Sequence, residues 1–240
     1  MKLSVVIPAW NEERLLPACL ESVSANLGDE GIGLDVELIV VDNNSTDRTA
    51  AVAEAGGARV VFEAVNQIAR ARNAGAAAAT GDWLQFLDAD SHLNPGLAAG
   101  LRQVLESDRW VGCGTTMHMA GLPWWALAMM RTWNGVSRLC RWAAGSFLAC
   151  RTEAFRDVGG FSDALYAAEE IDLSRRLKRW GRARGQTFTI LYRYPLQTSG
   201  RKLKLYSGRE IAAQFGRLLA RPRRSLHSRE DLGLWYDGRR

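Results

Sequence analysis

The chain has few cysteines and no long hydrophobic run free of polar residues. Its four cysteines are scattered without a CxxC pair, which argues against a zinc site and against a disulfide framework. The longest uncharged stretch, residues 110–130, contains threonines, glycines and Pro123, so we predict no transmembrane helix there. The first apolar run is too short for a signal peptide, because charged residues begin at Glu12. We therefore expect reduced thiols and a cytoplasmic location.

A glycine-rich dinucleotide motif is also missing. Residues 3–7 predict a first strand that Pro8 ends, and the apolar residues that follow recur at helical spacing in a helix expected to open at Asn11. In a Rossmann unit the turn between these elements reads GxGxxG, whereas this chain has PAWNE at 8–12. The sequence therefore argues against an enzyme that uses a nicotinamide dinucleotide.

The composition is that of a soluble globular protein, with 47% hydrophobic and 24% charged residues. The formal net charge of +5 is unevenly spread, because the last third of the chain is rich in arginine and lysine. Residues 202–224 mix basic with apolar side chains and predict an amphipathic helix. Three roles are open for it: it binds an anionic membrane surface, it contacts a second subunit in a homodimer, or it covers the nucleotide site as a lid. No nucleic-acid-binding motif accompanies the charge, so we do not expect nucleic acid as a partner.

A second strand is predicted over 36–41, and Asp42 follows it directly. Ser45 or Thr46 is expected to cap the next helix, over 48–55. Asp42 precedes that cap and is expected at the same edge of the sheet as the carboxylates of the central strand. A functional role is therefore favoured for Asp42.

A longer helix is predicted over 66–80, after a short strand at 59–62. Arg70 and Arg72 lie near its start. Two guanidinium groups at this place suit a nucleotide diphosphate, because each binds phosphate through paired donors. A solvated helix face is the alternative for at least one of them.

The central stretch of the chain, residues 83–91, is an apolar run that ends in Asp88 and Asp90. Such a run predicts a strand in the middle of a sheet, so both carboxylates fall at its carboxyl end, where ligands bind in α/β proteins. Two carboxylates there suit a divalent cation that meets a phosphate. The alternative is a helix cap, in which Asp90 or Ser91 begins the helix that Pro95 opens.

Four motifs, in this order, resemble those of the family 2 glycosyltransferases of GT-A fold. They read VVIPAWNEE (5–13), VVDNNSTD (40–47), ARNAGAAAATGD (71–82) and FLDAD (86–90). GSFLACR (145–151) and FRDVGGF (155–161) resemble the acceptor-side strand and the Gly-Gly-Phe turn of that family. The resemblance covers about residues 1–190 and implies an α/β fold with a Rossmann-like, mostly parallel central sheet flanked by helices.

The expected organisation is one compact domain with three parts. The resemblance places a donor half at 1–118 and an acceptor half at 119–192, and residues 193–240 form a basic, helical C-terminal extension that it does not cover.

The resemblance also implies roles for single residues. The Pro8–Ala9 backbone and Glu12 would hold the base and ribose of a nucleotide sugar, and Asp42 would hydrogen-bond the base, usually uracil. Arg70 would lie near base or diphosphate, with Arg72 as the alternative. The implied nucleotide-sugar-binding residues are Pro8, Ala9, Asn11, Glu12, Asp42, Arg70, Arg72, Asn73, Asp88 and Ala89.

By the same resemblance, Asp88 and Asp90 form the Asp-x-Asp motif that binds Mg²⁺ or Mn²⁺ at the diphosphate. Asp90 would bind the metal, and Asp88 would contact ribose or metal. The physical need for the ion is the negative charge that develops on the departing nucleotide, which a dication neutralises better than a neutral donor does.

Glycosyl transfer with inversion also needs a base that takes the proton of an acceptor hydroxyl. Residues 169–177 predict a helix on which Glu170 lies on the apolar stripe, where a carboxylate is costly to bury without a purpose. We therefore expect Glu170 as the base. The family usually has aspartate at this place, and glutamate is one methylene longer, which leaves the acceptor geometry open.

The neighbouring acids of this helix are expected to differ from Glu170. Glu169 and Asp172 share the next face with Arg176, which predicts ion pairs. Asp172 is also a candidate for supporting the base or the metal.

The segment over 121–142 alternates tryptophans with arginines. It is expected to stack sugars, to lie at a membrane interface, or to cover the sheet. The acceptor therefore stays open between a hydroxyl compound and a lipid phosphate.

The expected function is metal-dependent, inverting transfer of a hexosyl or N-acetylhexosaminyl group from a nucleotide diphosphate, UDP being favoured. The chain has no QxxRW signature after the base helix, so a single addition rather than processive synthesis is expected. Two alternatives remain. One is a haloacid-dehalogenase-like phosphatase or phosphotransferase with Asp88 as nucleophile, although such motifs usually lie on the first strand of their chains. The other is a catalytically inactive nucleotide-sugar-binding protein.

Overall fold

The computed structural model describes residues 1–143 and 145–201 together with His227 and Leu232. Its strands are β1 (Lys2–Ala9), β2 (Asp35–Asp42), β3 (Arg59–Phe62), β4 (Trp83–Leu87), β5 (Ser91–His92), β6 (Trp110–His118), β7 (Phe147–Arg151) and β8 (Thr187–Thr198). Its helices are α1 (Leu16–Leu27), α2 (Thr49–Ala55), α3 (Ile68–Ala78), α4 (Pro95–Leu105), α5 (Trp124–Cys140), α6 (Thr152–Asp157) and α7 (Glu169–Arg182). The predicted α/β class is confirmed.

The described strands form one sheet in the order β3-β2-β1-β4-β7-β6-β8-β5. Parallel pairing joins β1 to both β2 and β4, so the carboxyl ends of these strands reach the same edge of the sheet. The second half of the chain joins through β7, which runs antiparallel to β4 and to β6. In a doubly wound sheet, ligands bind at the edge formed by the carboxyl ends of the parallel strands, here β1, β2 and β4.

Helices cover both faces of the sheet, because most of its strands are apolar on both sides. Side chains of α1, α2 and α4 pack on one face, and those of α3, α6 and α7 pack on the other. The five residues of β4 are all buried, as the apolar run over 83–87 predicted. On the second face, Phe86 stacks edge-on against Phe161, with ring centroids 4.8 Å apart. The strand that carries Asp88 is therefore held rigidly from both sides.

Three local expectations about helix starts were wrong. The first helix begins at Leu16 rather than at Asn11, because Asn11 has a left-handed backbone with φ of 53°. The helix α2 has no cap from Ser45 or Thr46, and its first N–H group, on Thr49, donates to Asp47 Oδ1 instead.

The helix α4 is capped by Asn94, whose Oδ1 accepts from the Leu97 N–H over 2.9 Å. The capping alternative for Asp90 or Ser91 is therefore wrong. Ser91 lies in the short strand β5, and Asp90 precedes it at the end of the sheet.

Within the part of the chain that the structure describes, no helix combines the length and the apolar character needed to cross a membrane. The predicted amphipathic basic helix over 202–224 lies outside the described residues, and so do its expected roles at a membrane, in a homodimer or as a lid.

Candidate active site

A cavity of about 520 Å³ opens at the carboxyl edge of the sheet. Ligand sites of proteins commonly have this size. Its walls come from both halves of the chain, and they combine residues of the β1 and β4 ends with α5, the start of α7 and the end of β8. Of the predicted site residues, those that line it are Pro8, Ala9, Glu12, Arg72, Asp88, Ala89, Asp90 and Glu170.

The loops after β1 and β2 are tied to each other at one end of the cavity. The Asn11 N–H donates to Ser45 Oγ over 3.0 Å, and Asn11 Oδ1 accepts from the Thr46 N–H over 2.7 Å. The Glu12 N–H donates to Thr49 Oγ1 over 2.8 Å. The Ser45 hydroxyl, which the sequence suggested as a helix cap, thus accepts from the loop after β1 instead.

Asp42 is buried where β2 ends, and its Oδ1 accepts from the Ser45 N–H over 2.9 Å. It stands beside Ala9 in the parallel register of β1 and β2. The neighbouring Asn43, rather than Asp42, lines the cavity. Asp42 therefore shapes the loop that carries Asn43.

Arg70 and Asn73 do not line the cavity. Arg70 pairs with Glu63 over 3.3 Å, and its side chain is 40% exposed. The Asn73 amide bonds to both backbone groups of Phe161, accepting from the N–H and donating to the carbonyl. In this structure Asn73 fastens α3 to the Gly-Gly-Phe turn.

Asp88 and Asp90 both reach the cavity from the loop after β4. Asp88 Oδ1 accepts from Arg72 Nη2 over 3.0 Å, and Asp90 Oδ1 accepts from Thr198 Oγ1 over 3.3 Å. Burial, reinforced by the nearby charges of Asp90 and Asp88, raises the pKa of the Cys19 thiol. Negative charge is thus concentrated at this edge of the sheet.

The residues present fit a divalent cation whose remaining ligands are oxygen atoms of a bound diphosphate. Two carboxylates on one cavity wall suit Mg²⁺ or Mn²⁺, which take few protein ligands when substrate phosphates supply others. The described residues contain no cluster of three or more histidine, cysteine, aspartate or glutamate side chains that could enclose a metal by themselves. The two carboxylates therefore suit a cation that takes its other ligands from a bound phosphate.

Arg72 is the central cation of the site, and its side chain is only 1% exposed. Nη1 donates to Glu169 Oε1 over 3.0 Å and to Glu170 Oε1 over 2.6 Å. Nη2 donates to Asp88 and, over 2.7 Å, to the Gly145 carbonyl. Burial acts to lower the pKa of Arg72, but the surrounding carboxylates, Glu170 foremost, raise it above its usual value. Arg72 therefore stays charged and neutralises the acids around it.

The sequence favoured Arg70 near base or diphosphate, with Arg72 as the alternative, and it did not predict that the Arg72 guanidinium bonds to carboxylates. Both of its terminal nitrogens already donate to two acceptors each. Asp88 lies 16 positions from Arg72, whereas Gly145, Glu169 and Glu170 lie 73 to 98 positions away. Helical periodicity gives no signal for contacts of this kind, which is why the sequence did not identify them.

Glu169 and Glu170 begin α7 and both line the cavity. The expected ion pair of Glu169 with Arg176 is wrong, because Glu169 is buried against Arg72. Burial, and then the charge of Glu170, raise the pKa of Glu169 well above its ordinary value although Arg72 opposes the change. Glu169 therefore holds a proton to a higher pH than an ordinary glutamate does.

Asp172 lies outside the cavity. Its carboxylate pairs with Arg176 over 2.7 Å, as predicted, and its side chain is 41% exposed. Arg176 also donates to the Val158 carbonyl over 2.6 Å. The pair thus holds α7 against the segment that precedes the Gly-Gly-Phe turn.

The entry into α7 is strained next to these acids. Ala168, the residue before the helix, has φ of 63°. A left-handed backbone costs an alanine about 1–2 kcal/mol. Such strain persists only where the surroundings hold it, and it is often found at functional sites. Here it aims Glu169 and Glu170 into the cavity.

The sequence did not identify Arg201 as a residue of the site. Arg201 Nη2 donates to Glu12 Oε1 over 2.8 Å, across 189 positions of the chain. The Ser199 N–H donates to the Asp90 carbonyl over 3.2 Å, which fixes the turn that carries Arg201. The sequence showed Arg201 only as one of many basic residues near the C-terminus.

Residues 4–159 match the model of the family described as glycosyl transferase family 2. An uncharacterized glycosyltransferase of Mycobacterium bovis is 37% identical over 122 residues, which are 51% of this chain and 52% of that protein. An uncharacterized glycosyltransferase of Haemophilus influenzae is 26% identical over 185 residues, covering 73% of this chain and 61% of that protein. The matched part of the chain thus spans between about half and two thirds of these relatives' length.

Solved structures share the fold at low sequence identity. A mannosyltransferase of Pyrobaculum calidifontis in complex with GDP-Man and Mn²⁺ superposes with a TM-score of 0.67 at 18% identity, over 94% of this chain and 61% of that one. Glucosyl-3-phosphoglycerate synthase of Mycobacterium tuberculosis with Mg²⁺ and UDP gives 0.63 at 24%, over 91% and 77%. TarS of S. aureus with UDP-GlcNAc gives 0.65 at 18%, over 99% and 73%.

Proposed function

Because the chain belongs to glycosyl transferase family 2, we propose that it is an inverting, metal-dependent and non-processive glycosyltransferase. It moves a hexosyl or N-acetylhexosaminyl group from a UDP-sugar to an acceptor hydroxyl or a lipid phosphate. The family assignment removes the phosphatase alternative, in which Asp88 is a nucleophile. One observation carries the proposal: Arg72 bonds both Asp88 and Glu170, and all three line one cavity.

The donor is assigned to the end of the cavity formed by the loops after β1 and β2. Pro8, Ala9 and Glu12 line that end, together with Asn43 and Asn66. We assign the base and ribose to these residues, with Asp42 positioning the loop beside the base. Solved structures with the same fold hold UDP, UDP-GlcNAc or GDP-Man, which supports a nucleotide-sugar donor.

We assign Mg²⁺ or Mn²⁺ to Asp88 and Asp90. When bound, the ion would neutralise the charge that develops on the departing diphosphate. Arg72 fixes Asp88 Oδ1, and Thr198 fixes Asp90 Oδ1, so both carboxylates are oriented before a ligand enters. Preorganised charge of this kind is the main source of electrostatic catalysis.

The base is assigned to Glu170. In the proposed step the acceptor oxygen attacks the anomeric carbon from the face opposite the diphosphate, its proton passes to Glu170, and the bond from that carbon to the diphosphate oxygen breaks. Inversion follows from this single displacement. Arg72 keeps Glu170 oriented, because its Nη1 donates to Glu170 Oε1 over 2.6 Å. Asp172 contributes by anchoring α7 through Arg176.

The test of the donor site is calorimetry of UDP binding with and without Mn²⁺. Binding should need the metal, and Asp90→Ala should weaken it by at least about tenfold, since loss of a charged ligand costs more than 1.4 kcal/mol. The control is Asp108→Ala, because Asp108 is a fully exposed acid that pairs with Arg151 and does not line the cavity. Equal UDP affinity with and without Mn²⁺ would refute the assignment of the metal to Asp90. A thermal-shift screen of nucleotide sugars then identifies the sugar.

The cellular part of the proposal is a cytoplasmic enzyme that associates with the inner face of a membrane. It rests on the basic and apolar residues over 202–224, which carry net positive charge. Flotation of the full chain with vesicles rich in anionic lipid tests it. Recovery in the bottom fraction with both anionic and neutral vesicles would end this part of the proposal.

A further inference from the structure

The far side of the cavity is apolar. Five residues of α5 line it, and they recur at positions i, i+1, i+4, i+5 and i+8, which places them on one face of the helix. They are Trp125, Ala126, Met129, Met130 and Trp133. Met117 and Met119 extend the same surface from the end of β6. We call these seven residues the α5 wall.

The α5 wall contrasts with the opposite side of the same cavity. The charged side chains that line the cavity are five carboxylates and the Arg72 guanidinium, and none of them belongs to α5. The wall itself carries no charged group. Apolar ligand surface placed against the wall is removed from water, which favours binding. The wall therefore selects a ligand whose polarity is confined to one end.

The apolar surface continues out of the cavity. Met129 lines the wall and is also 41% exposed, so the wall reaches the protein surface there. Trp124, next to Trp125 in the chain, is 82% exposed at the start of the helix. Exposed apolar side chains that adjoin a ligand cavity suit contact with an apolar part of the ligand. The two residues mark an apolar exit for a chain longer than the cavity.

We propose that the acceptor is an amphiphile, with a hydroxyl or phosphate group at Glu170 and Asp88 and a hydrocarbon chain along the α5 wall. The inference rests on the proposed glycosyltransferase function and names the acceptor class for that site. Methionine side chains suit such a chain because they are unbranched and adapt to its shape. The polar end meets the carboxylates and the donor, and the hydrocarbon end leaves past Met129.

The probe is a series of n-alkyl β-D-glucosides from butyl to octyl, kept below their micelle concentrations. They are titrated calorimetrically onto the full chain with UDP and Mn²⁺ present. Each added methylene that reaches the wall should tighten binding by up to about fourfold. This dependence on chain length should be lost in Met129→Glu and kept in Met129→Leu, which preserves the apolar surface.

The matched control is Leu139→Glu, on the same helix. Leu139 is 86% exposed and does not line the cavity, so a glutamate at position 139 adds the same charge outside the wall. Loss of chain-length dependence in Met129→Glu alone supports the inference. An equal loss in both glutamate variants would assign the binding to the outer surface and overturn it.

UDP affinity in the same samples separates the two proposals. If UDP binds with Mn²⁺ but the alkyl series shows no dependence on chain length, the amphiphilic acceptor is wrong and the transferase proposal stands. If UDP does not bind, the proposed function itself fails, and the inference fails with it.

Discussion

Arg72 Nη1 donates to Glu170 Oε1 over 2.6 Å, although the two residues lie 98 positions apart. The other terminal nitrogen of the same guanidinium reaches Asp88 over 3.0 Å. The proposed base and the proposed metal end of the site are therefore held by one buried cation. A change at position 72 should disturb both of them together.

Arg72→Met should destabilise the protein severely. The substitution keeps much of the apolar volume but leaves the carboxylates of Glu169, Glu170 and Asp88 without their cation. Breaking a buried ion pair in this way costs about 3–5 kcal/mol. Urea unfolding followed by circular dichroism measures the change in the free energy of unfolding, and turnover should be lost as well.

The control for this prediction is Arg70→Met, two positions earlier on the same helix. Among the described residues Arg70 pairs with Glu63 alone, and its side chain is 40% exposed, so the loss should stay below about 1 kcal/mol. Equal destabilisation by the two variants would show that Arg72 does not neutralise the site.

Glu169 should make stability depend on pH in a direction unusual for an acid. Burial and Glu170 raise its folded pKa above the unfolded value of about 4.3, so the folded state binds this proton more tightly. The contribution is fully present below the unfolded pKa and is lost as pH rises through the folded pKa. Glu169→Gln removes the titration and should gain stability relative to the native chain as pH rises above the unfolded pKa.

Urea midpoints at several pH values check this prediction. Asp172→Asn is the control, because Asp172 lies on the same helix and pairs with Arg176 at the surface. The difference in urea midpoint between Asp172→Asn and the native chain should change little as pH rises. Parallel profiles for Glu169→Gln and the native chain would contradict the raised pKa.

Glu170→Gln should leave UDP affinity nearly unchanged while turnover onto a hydroxyl acceptor falls by about 10²–10⁴-fold, the usual contribution of a general base. A phosphate acceptor is already ionised at neutral pH and has no proton to give, so the loss should then be much smaller. Single-turnover rates with each acceptor class measure the difference. Unchanged turnover onto a hydroxyl acceptor would remove Glu170 from the base role.

Local patterns predicted the fold well because each strand and helix carries its own signal. The apolar run over 83–87 predicted a strand buried on both faces, and β4 is such a strand. The helix that begins at Glu169 followed from the spacing of its apolar residues. The start of α1 was misplaced, because Asn11 and Glu12 bond to the loop after β2 instead of beginning a helix.

The site was predicted only where a residue lies at the end of a strand. Asp88 and Asp90 follow β4, and their approach to the cavity could be deduced from that position. The partners of Arg72 and Glu12 could not, since Glu170 and Arg201 come from distant segments. Pairings of this kind depend on how the second half of the chain folds back onto the first, which periodicity does not report.

Gly145 and Gly135 offer a test of how closely Glu170 is packed. A Cβ at position 145 would lie 2.6 Å from Glu170 Oε1, whereas a Cβ at position 135 would meet nothing within 4 Å. Gly145→Ala should therefore displace the Glu170 carboxylate and lower turnover by up to about 100-fold, as small misplacements of catalytic groups do. UDP affinity should be retained, because the donor end lies across the cavity. Steady-state kinetics and calorimetry measure the two effects.

Gly135→Ala is the matched control, because Gly135 is exposed and lies in the middle of α5. Replacing a helical glycine by alanine should raise the free energy of unfolding by about 0.5–1 kcal/mol and leave turnover unchanged. If Gly145→Ala also kept full turnover, Glu170 would tolerate displacement. A general base must lie within hydrogen-bond reach of the proton that it takes, so that result would argue against Glu170 in this role.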